Sequence, residues 1–330
     1  MKIRVLGTGS WGTALAQVLA DNGHDVLMWG INAGEIEDIN VRHCNSRFFE
    51  GTISDRIRAT AEIEDIRDAD VVLAAVPVMA LESVLQKAAG IVENKVIWIN
   101  VAKGFHPVSH KRLSEVIAET VPEEKREAIV SLIGPSHAEE VIIRLLTTVN
   151  AVSENEEAAE TVQKLFSNSY FRVYRNNDVI GAETGVALKN VMAIASGILE
   201  GIGQGDNARA ALMTRGLAEI TRYGVLKGGR KETFLGLDGV GDLIVTCTSR
   251  HSRNFMAGLA IGKANSAEEF MKTNKKTVEG IFACKAVYED AKSIGIELPI
   301  TEQVYAVLYE GKEPAKAVID LMHRELKAEN

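Results

Sequence analysis

The sequence predicts an α/β domain with a doubly wound parallel sheet, followed by an all-α domain. Three observations predict this. Short, apolar, β-branched runs alternate with helical patterns through the first half of the chain, as buried parallel strands and their crossovers require. The first of these runs leads directly into a glycine-rich turn. Beyond about residue 178, apolar residues recur almost only at helical spacing.

Element by element, "IRVL" (3–6), "DVLMW" (25–29), "DVVLAAVP" (70–77), "KVIWINV" (95–101) and "AIVSLI" (128–133) read as strands, with helices between them at about 11–22, 78–90 and 109–120. "TTVNAVS" (147–153) and "YFRVY" (170–174) read as two later strands flanking a helix at about 154–167. A long helix begins near Val179 with no Pro/Gly/Ser-rich linker before it. "AALMTRGLAEITRYGVL", "NFMAGLAIGKA", "TVEGIFACKAVYEDAKSIG" and "PITEQVYAVLYEG" read as further helices. No internal repeat or low-complexity tract interrupts them.

The chain has 330 residues, enough for two domains with a sizeable core, and is 46% hydrophobic and 25% charged. Its net charge of −8 argues against a nucleic-acid partner, so any bound phosphate must meet a local basic site. Cys44, Cys247 and Cys284 lie far apart with no CxxC pair, which argues against a metal site or disulfide framework and fits a reducing compartment. The N-terminus has no signal-peptide apolar region, and no uncharged apolar run reaches the ~18 residues of a membrane span. A cytoplasmic location without membrane insertion is expected.

"VLGTGSWGTALAQVLADNG" holds Gly7, Gly9 and Gly12 in the GxGxxG spacing, after a strand and opening a helix. In that context Gly7 serves the tight turn, Gly9 lets the backbone approach a pyrophosphate, and Gly12 lets the helix pack on the strand. The N-terminal domain is therefore expected to be of Rossmann type and to bind a dinucleotide. Residues 1–178 form that domain in this reading, and residues 179–330 the helical substrate-binding and catalytic domain. NAD-selective sites carry an acid about 20 residues after the loop. Here "WGIN" puts Gly30, Ile31 and Asn32 at that point, with Glu35 slightly late and Arg42 and Arg47 further on. The stretch leaves NAD against NADP open and predicts weak discrimination.

"GAETGVALKNVMAIASGI" carries one lysine, Lys189, on a helix face shared with Ala182, Gly185, Val186, Met192, Ala193 and Ser196, none of which can pair a charge. Its amine can snorkel to water, or, partly desolvated, trade protons near neutral pH. Three further segments concentrate unusual residues. "NVAKGF" places Lys103 at the carboxyl end of a strand, where open α/β sheets bind ligands. "IGPSHAEEV" places Gly134, Pro135 and Ser136 at a strand-to-helix turn suited to an anion. "GLDGVGDLIVTCTSRHSRN" carries Asp242, Ser252, Arg253 and Asn254. Taken singly, Lys103 reads equally as a surface charge, Asp242 as a helix N-cap and Arg253 as a solvated loop charge. His137 and His251 read as bystanders.

Together "GTGSWGTALA", "VAKGF", "GPSHAEEV", "ALKNVMAIASGILEGIGQGDNARAALMTRGLAEITRYG", "TFLGLDGVGDLIVTCTSRHSRN" and "TVEG" resemble the bacterial NAD(P)-dependent glycerol-3-phosphate dehydrogenase family, from about residue 3 to about 325. The resemblance implies interconversion of sn-glycerol 3-phosphate and dihydroxyacetone phosphate with NAD or NADP, in the service of glycerophospholipid synthesis. It implies dinucleotide contacts from Ser10, Trp11, Phe48, Ala138, Thr277 and Glu279, and contacts to both cofactor and substrate from Lys103 and Arg253. It implies substrate contacts from Gly134, Ser136, Asp242, Ser252 and Asn254, with Lys189 as the general base and Asn190 and Asp242 orienting or tuning it. The substrate would be a small phosphorylated three-carbon molecule; a homodimer is compatible with the resemblance. Val78, Leu146, Thr184 and Ile31 depart from the family pattern, the last where an Arg beside the adenosine ribose is frequent. Another two-domain dehydrogenase, of hydroxyacid or 6-phosphogluconate type, and a non-catalytic dinucleotide sensor are the competing functions.

Overall fold

The computed structural model describes residues 1–274, 276–326 and 328–329. The chain divides into two compact units, Met1–Glu183 and Thr184–Asn330. In the first, eight strands form one sheet: β1 (Ile3–Leu6), β2 (Val26–Trp29), β3 (Ile57–Thr60), β4 (Val71–Ala74), β5 (Val96–Asn100), β6 (Arg126–Ile133), β7 (Thr147–Val152) and β8 (Phe171–Asn176). The spatial order is β3-β2-β1-β4-β5-β6-β7-β8. The order reverses at β1, and that switch point is where such sheets open a ligand crevice at their carboxyl ends.

Alternation along the strands feeds two apolar layers, one on each sheet face. Ile3, Val5, Val71, Leu73, Ile97 and Ile99 join one cluster, with Leu15, Val18 and Leu19 of helix α1 (Ser10–Asp21). Leu6, Val72, Ala74, Val96 and Trp98 join the other. There they meet Leu81 and Leu85 of a helix at Val78–Ile91 and Ile117 of one at Leu113–Thr120. A short helix α2 (Ala33–Glu37) follows β2, its N-terminus capped by the Asn32 side chain. The sheet is thus doubly wound, as the strand–helix alternation predicts.

The structure departs from the sequence reading in three places. β3 lies outside the strands the sequence predicts: "IRAT" is an edge strand with Arg58 exposed, so it carries no apolar run. β7 runs antiparallel to β6, although β7 and β8 are parallel. The connection between β6 and β7 holds only the four-residue helix Ala138–Val141. It has no full crossover helix to carry the chain back for a parallel return. The helix expected from 109 starts at Leu113, after a turn in which His110 takes φ 57°.

The second unit is helical. A 23-residue helix (α3, Val179–Gly201) leads into it from the first, followed by α4 (Asp206–Leu226), α5 (Asp242–Thr248), α6 (Arg253–Ala264), α7 (Glu279–Ile294), α8 (Pro299–Tyr309) and α9 (Pro314–Met322). Every residue from Gly181 to Leu199 is buried, so this helix is apolar nearly all round. Glycines let it pack backbone to backbone. A Cβ on Gly197 would lie 2.0 Å from Phe255 O, and one on Gly258 2.0 Å from Ile194 O. Gly201 and Gly262 repeat the contact one turn on, where an added Cβ would lie 2.7 Å from Leu259 O and 2.5 Å from Ile198 O respectively. A Cβ on Gly280, in α7, would lie 2.6 Å from Asn190 O. Among the described residues no helix is long and apolar enough to cross a membrane.

Candidate active site

In the first unit the glycine turn leaves β1 at the switch point. Gly7 has φ +114°, and a Cβ there would lie 2.6 Å from Ala75 O, just past β4. Both conditions demand glycine. Gly12 meets Gly7 O at 2.6 Å from its would-be Cβ, which fixes α1 against the turn. Gly9 differs: it is extended (φ −69°), and an added Cβ would meet nothing within 4 Å. Nothing in the protein requires glycine there; the open space lies over the uncapped N-terminus of α1. The first N–H groups of a helix have no intrahelical acceptor, and the first turn of α1 holds no acid. The half-buried Trp11 adds a buried indole Nε1 with no hydrogen-bond partner among the described residues. An anion-binding helix end under a bare backbone fits a pyrophosphate.

Around this turn, Asn45 donates to Thr8 O (2.9 Å) and Thr13 Oγ1 (2.8 Å), tying the 43–49 segment, with exposed Phe48, to the loop. Past β5, the Lys103 Nζ donates to Gly134 O (2.6 Å) and Ser136 Oγ (3.3 Å). These residues, read from separate motifs, are therefore neighbours. Ala138 is buried at the start of the short helix that follows. Glu183 is buried where α3 begins and accepts from Ser131 Oγ and Ser114 Oγ, both at 2.7 Å. Burial pushes its carboxyl well above the usual range, against those donors.

In the second unit, Lys189 is 4% exposed and Asp242 fully buried. The Lys189 Nζ donates to Asp242 Oδ1 at 2.8 Å and to Thr246 Oγ1 at 2.6 Å, and Thr246 Oγ1 donates to Asp242 O at 2.6 Å. The ammonium does not snorkel. The acids of its own helix are engaged elsewhere, Glu183 by Ser114 and Ser131 and Glu200 by Arg209 and Arg250, and α5 supplies the counter-charge. Asp242 likewise is no simple cap: it opens α5 and points at the lysine. The sequence reading does not include Thr246; its signal is position i+4 from Asp242 on one helical face. Next to Lys189, Asn190 Oδ1 accepts from Asn254 Nδ2 (3.0 Å), and Asn254 Oδ1 accepts from Gly280 N (2.8 Å). Ser252 caps α6, accepting from Phe255 N. Arg253, 56% exposed, pairs through Nη2 with Glu279 Oε1 at 2.5 Å, two residues after Thr277. His251 is exposed. The three cysteines are free. Burial pushes the Cys247 thiol up to about 12 even with Lys189 nearby, so it is inert as a nucleophile. Among the described residues no three or more His, Cys, Asp or Glu side chains come together as a metal site would need.

A sheet whose switch point presents a pyrophosphate cradle, joined to a helical unit with a buried ammonium held by carboxylate and hydroxyl, belongs to the class of two-domain dinucleotide-dependent dehydrogenases. Residues 2–159 match the family model of the NAD-dependent glycerol-3-phosphate dehydrogenase N-terminus, and residues 178–319 that of its C-terminus. The chain belongs to the NAD-dependent glycerol-3-phosphate dehydrogenase family, whose members are oxidoreductases. It is 51% identical over 331 residues to the glycerol-3-phosphate dehydrogenase (NAD(P)+) of Enterococcus faecalis, covering 100% of this chain and 97% of that one. It is 51% identical to that of Bacillus cereus, over 99% and 97% of the two chains. The crystal structure of glycerol-3-phosphate dehydrogenase from Coxiella burnetii superposes with a TM-score of 0.90 at 34% identity, over 98% of this chain and 99% of that one.

Proposed function

We propose that the chain interconverts sn-glycerol 3-phosphate and dihydroxyacetone phosphate with NAD(H) or NADP(H), using Lys189 as general acid and base. When bound, the dinucleotide supplies or accepts the hydride at C2 of the substrate. Residues 1–178 hold it: Gly7, Gly9 and Gly12 by their backbone, Ser10 and Trp11 at the helix end, and Phe48 and Ala138 beside it. Thr277 and Glu279 add contacts from the helical part, residues 179–330. The buried Lys189 ammonium, bonded to Asp242 and Thr246, carries the mechanistic assignment. In the reducing direction Lys189 gives a proton to the carbonyl oxygen; in the oxidising direction its amine takes the proton of the C2 hydroxyl. Asp242 is the buried counter-ion of the Nζ, and Thr246 fixes its direction. Arg253 offers the substrate phosphate a planar fork, beside Asn254 and Ser252. Lys103, with Gly134 and Ser136, adds a second cation. A cytoplasmic location, a homodimer and the supply of glycerol 3-phosphate to glycerophospholipid synthesis belong to the same proposal.

The test is oxidation of NADH and of NADPH by purified protein with and without dihydroxyacetone phosphate. Turnover is expected only when the ketone is present. A rate equal to the blank with both dinucleotides would leave a sensor that binds without chemistry; turnover of 6-phosphogluconate or a hydroxyacid instead would make it another dehydrogenase.

A further inference from the structure

In a sheet of this order the adenosine ribose of a bound dinucleotide lies over the carboxyl end of the second strand. There an acid receives the 2′-hydroxyl, or an arginine the 2′-phosphate. After β2 the structure puts Gly30, then Ile31, 89% exposed, then Asn32, whose side-chain oxygen is taken by Gly34 N and Glu35 N. The acid that follows, Glu35, is only 7% exposed, and both its oxygens are engaged. Oε2 accepts from Thr8 Oγ1 of the glycine turn at 2.5 Å, and Oε1 from Arg47 Nη1 at 2.6 Å. With a donor already on each oxygen and little surface left to solvent, Glu35 works as an anchor within the protein. What it anchors is a cation. The Arg47 side chain is 60% exposed, and its guanidinium carbon lies 5.5 Å from the centre of the Phe48 ring. The Asn45 bonds to Thr8 and Thr13 fasten the same segment to the turn and to α1. A guanidinium with donors left over, stacked on an aromatic ring and tied through one carboxylate to the pyrophosphate turn, is built to receive a phosphate.

We propose that Arg47 reads the 2′ position of the adenosine ribose and that the chain binds NADP(H) in preference to NAD(H). This rests on the dinucleotide-binding assignment above. It departs from the weak discrimination expected of "WGIN", because the selecting cation lies 15 residues beyond Asn32 in sequence and reaches the site only through the fold.

The experiment is calorimetric titration of the purified protein, without substrate, with NADPH, NADH, adenosine 2′,5′-bisphosphate and 5′-AMP. NADPH should bind at least about tenfold more tightly than NADH, the range of one charge-assisted contact, and the bisphosphate more tightly than 5′-AMP. Arg47→Gln should erase both differences and leave NADH binding within about twofold. Because that variant strands the buried Glu35 carboxylate, the double variant Glu35→Gln/Arg47→Gln is measured too and should behave likewise. Glu35→Gln alone, which keeps the guanidinium, should retain the preference for NADPH. Wild-type protein that binds both dinucleotides equally, or a double variant that loses NADH and NADPH alike, would overturn the role of Arg47 alone. Failure of the wild type to bind either dinucleotide would overturn the dinucleotide assignment as well.

Discussion

An ammonium at 4% exposure and a carboxylate at 0% would each be costly alone, and each is tolerated because the other is there. Lys189→Met deletes the proton carrier, so kcat should fall at least about a hundredfold, the low end of general acid–base catalysis. The same change leaves Asp242 buried without its cation, which should destabilise the fold by about 3–5 kcal/mol. On the sequence alone, where the lysine looked unpaired, the variant would be expected to hold or gain stability. Urea unfolding of Lys189→Met and of Lys189→Met/Asp242→Asn checks the point: the second should recover much of the stability and none of the turnover. If the single variant is as stable as wild type, the pair does not carry the charge balance. The lysine itself was legible, as an odd residue in an apolar helix. Its partner is reached only through the family resemblance, because Asp242 lies 53 residues away and no local pattern reports which helices pack together.

At the scale of elements, glycine marks two different demands, and substitution separates them. Gly258 meets backbone on α3 that cannot move aside, so Gly258→Ala should cost about 1–3 kcal/mol or more by overpacking and should loosen α6, which carries Ser252, Arg253 and Asn254. Gly12→Ala should behave similarly against Gly7 O. Gly9→Ala meets open space and should cost no more than about 1 kcal/mol, the N-cap preference of glycine over alanine, while weakening dinucleotide binding. Thermal melts paired with NADPH titration check this; a Gly9→Ala protein that binds normally would remove Gly9 from the cradle. The glycine turn could be read because strand, spacing and helix stand together in one stretch. The small-residue seam between α3 and α6 could not, since its halves are distant in sequence. The reversed β7 could not, since apolar alternation carries no strand direction.

Over the whole molecule, the pH dependence of stability should carry the mark of Glu219. This side chain is 3% exposed and accepts from Ile300 N, Thr301 N and Thr301 Oγ1 at the start of α8. Burial outweighs those donors and pushes its carboxyl from 4.5 up to about 7. The folded state then holds the proton more tightly than the unfolded one. Its contribution is fully present below about pH 4.5 and is lost as pH rises through about 7, to a total of about 3 kcal/mol. Unfolding free energies of wild type and Glu219→Gln across that window should diverge in slope, the variant being flatter; parallel curves would show that Glu219 stays ionised throughout. The order of the two units along the chain was legible from the change in periodicity near residue 178. The buried hydrogen bonds of Glu183 were not, and they bear on biosynthesis. Ser114 and Ser131 belong to the sheet unit, yet their shared acceptor sits on the first turns of α3. In a nascent chain growing at about 5–20 residues per second, the donors Ser114 and Ser131 are therefore made before their acceptor. Those two hydrogen bonds form only once the opening of the long helix has left the ribosome, several residues after the last strand.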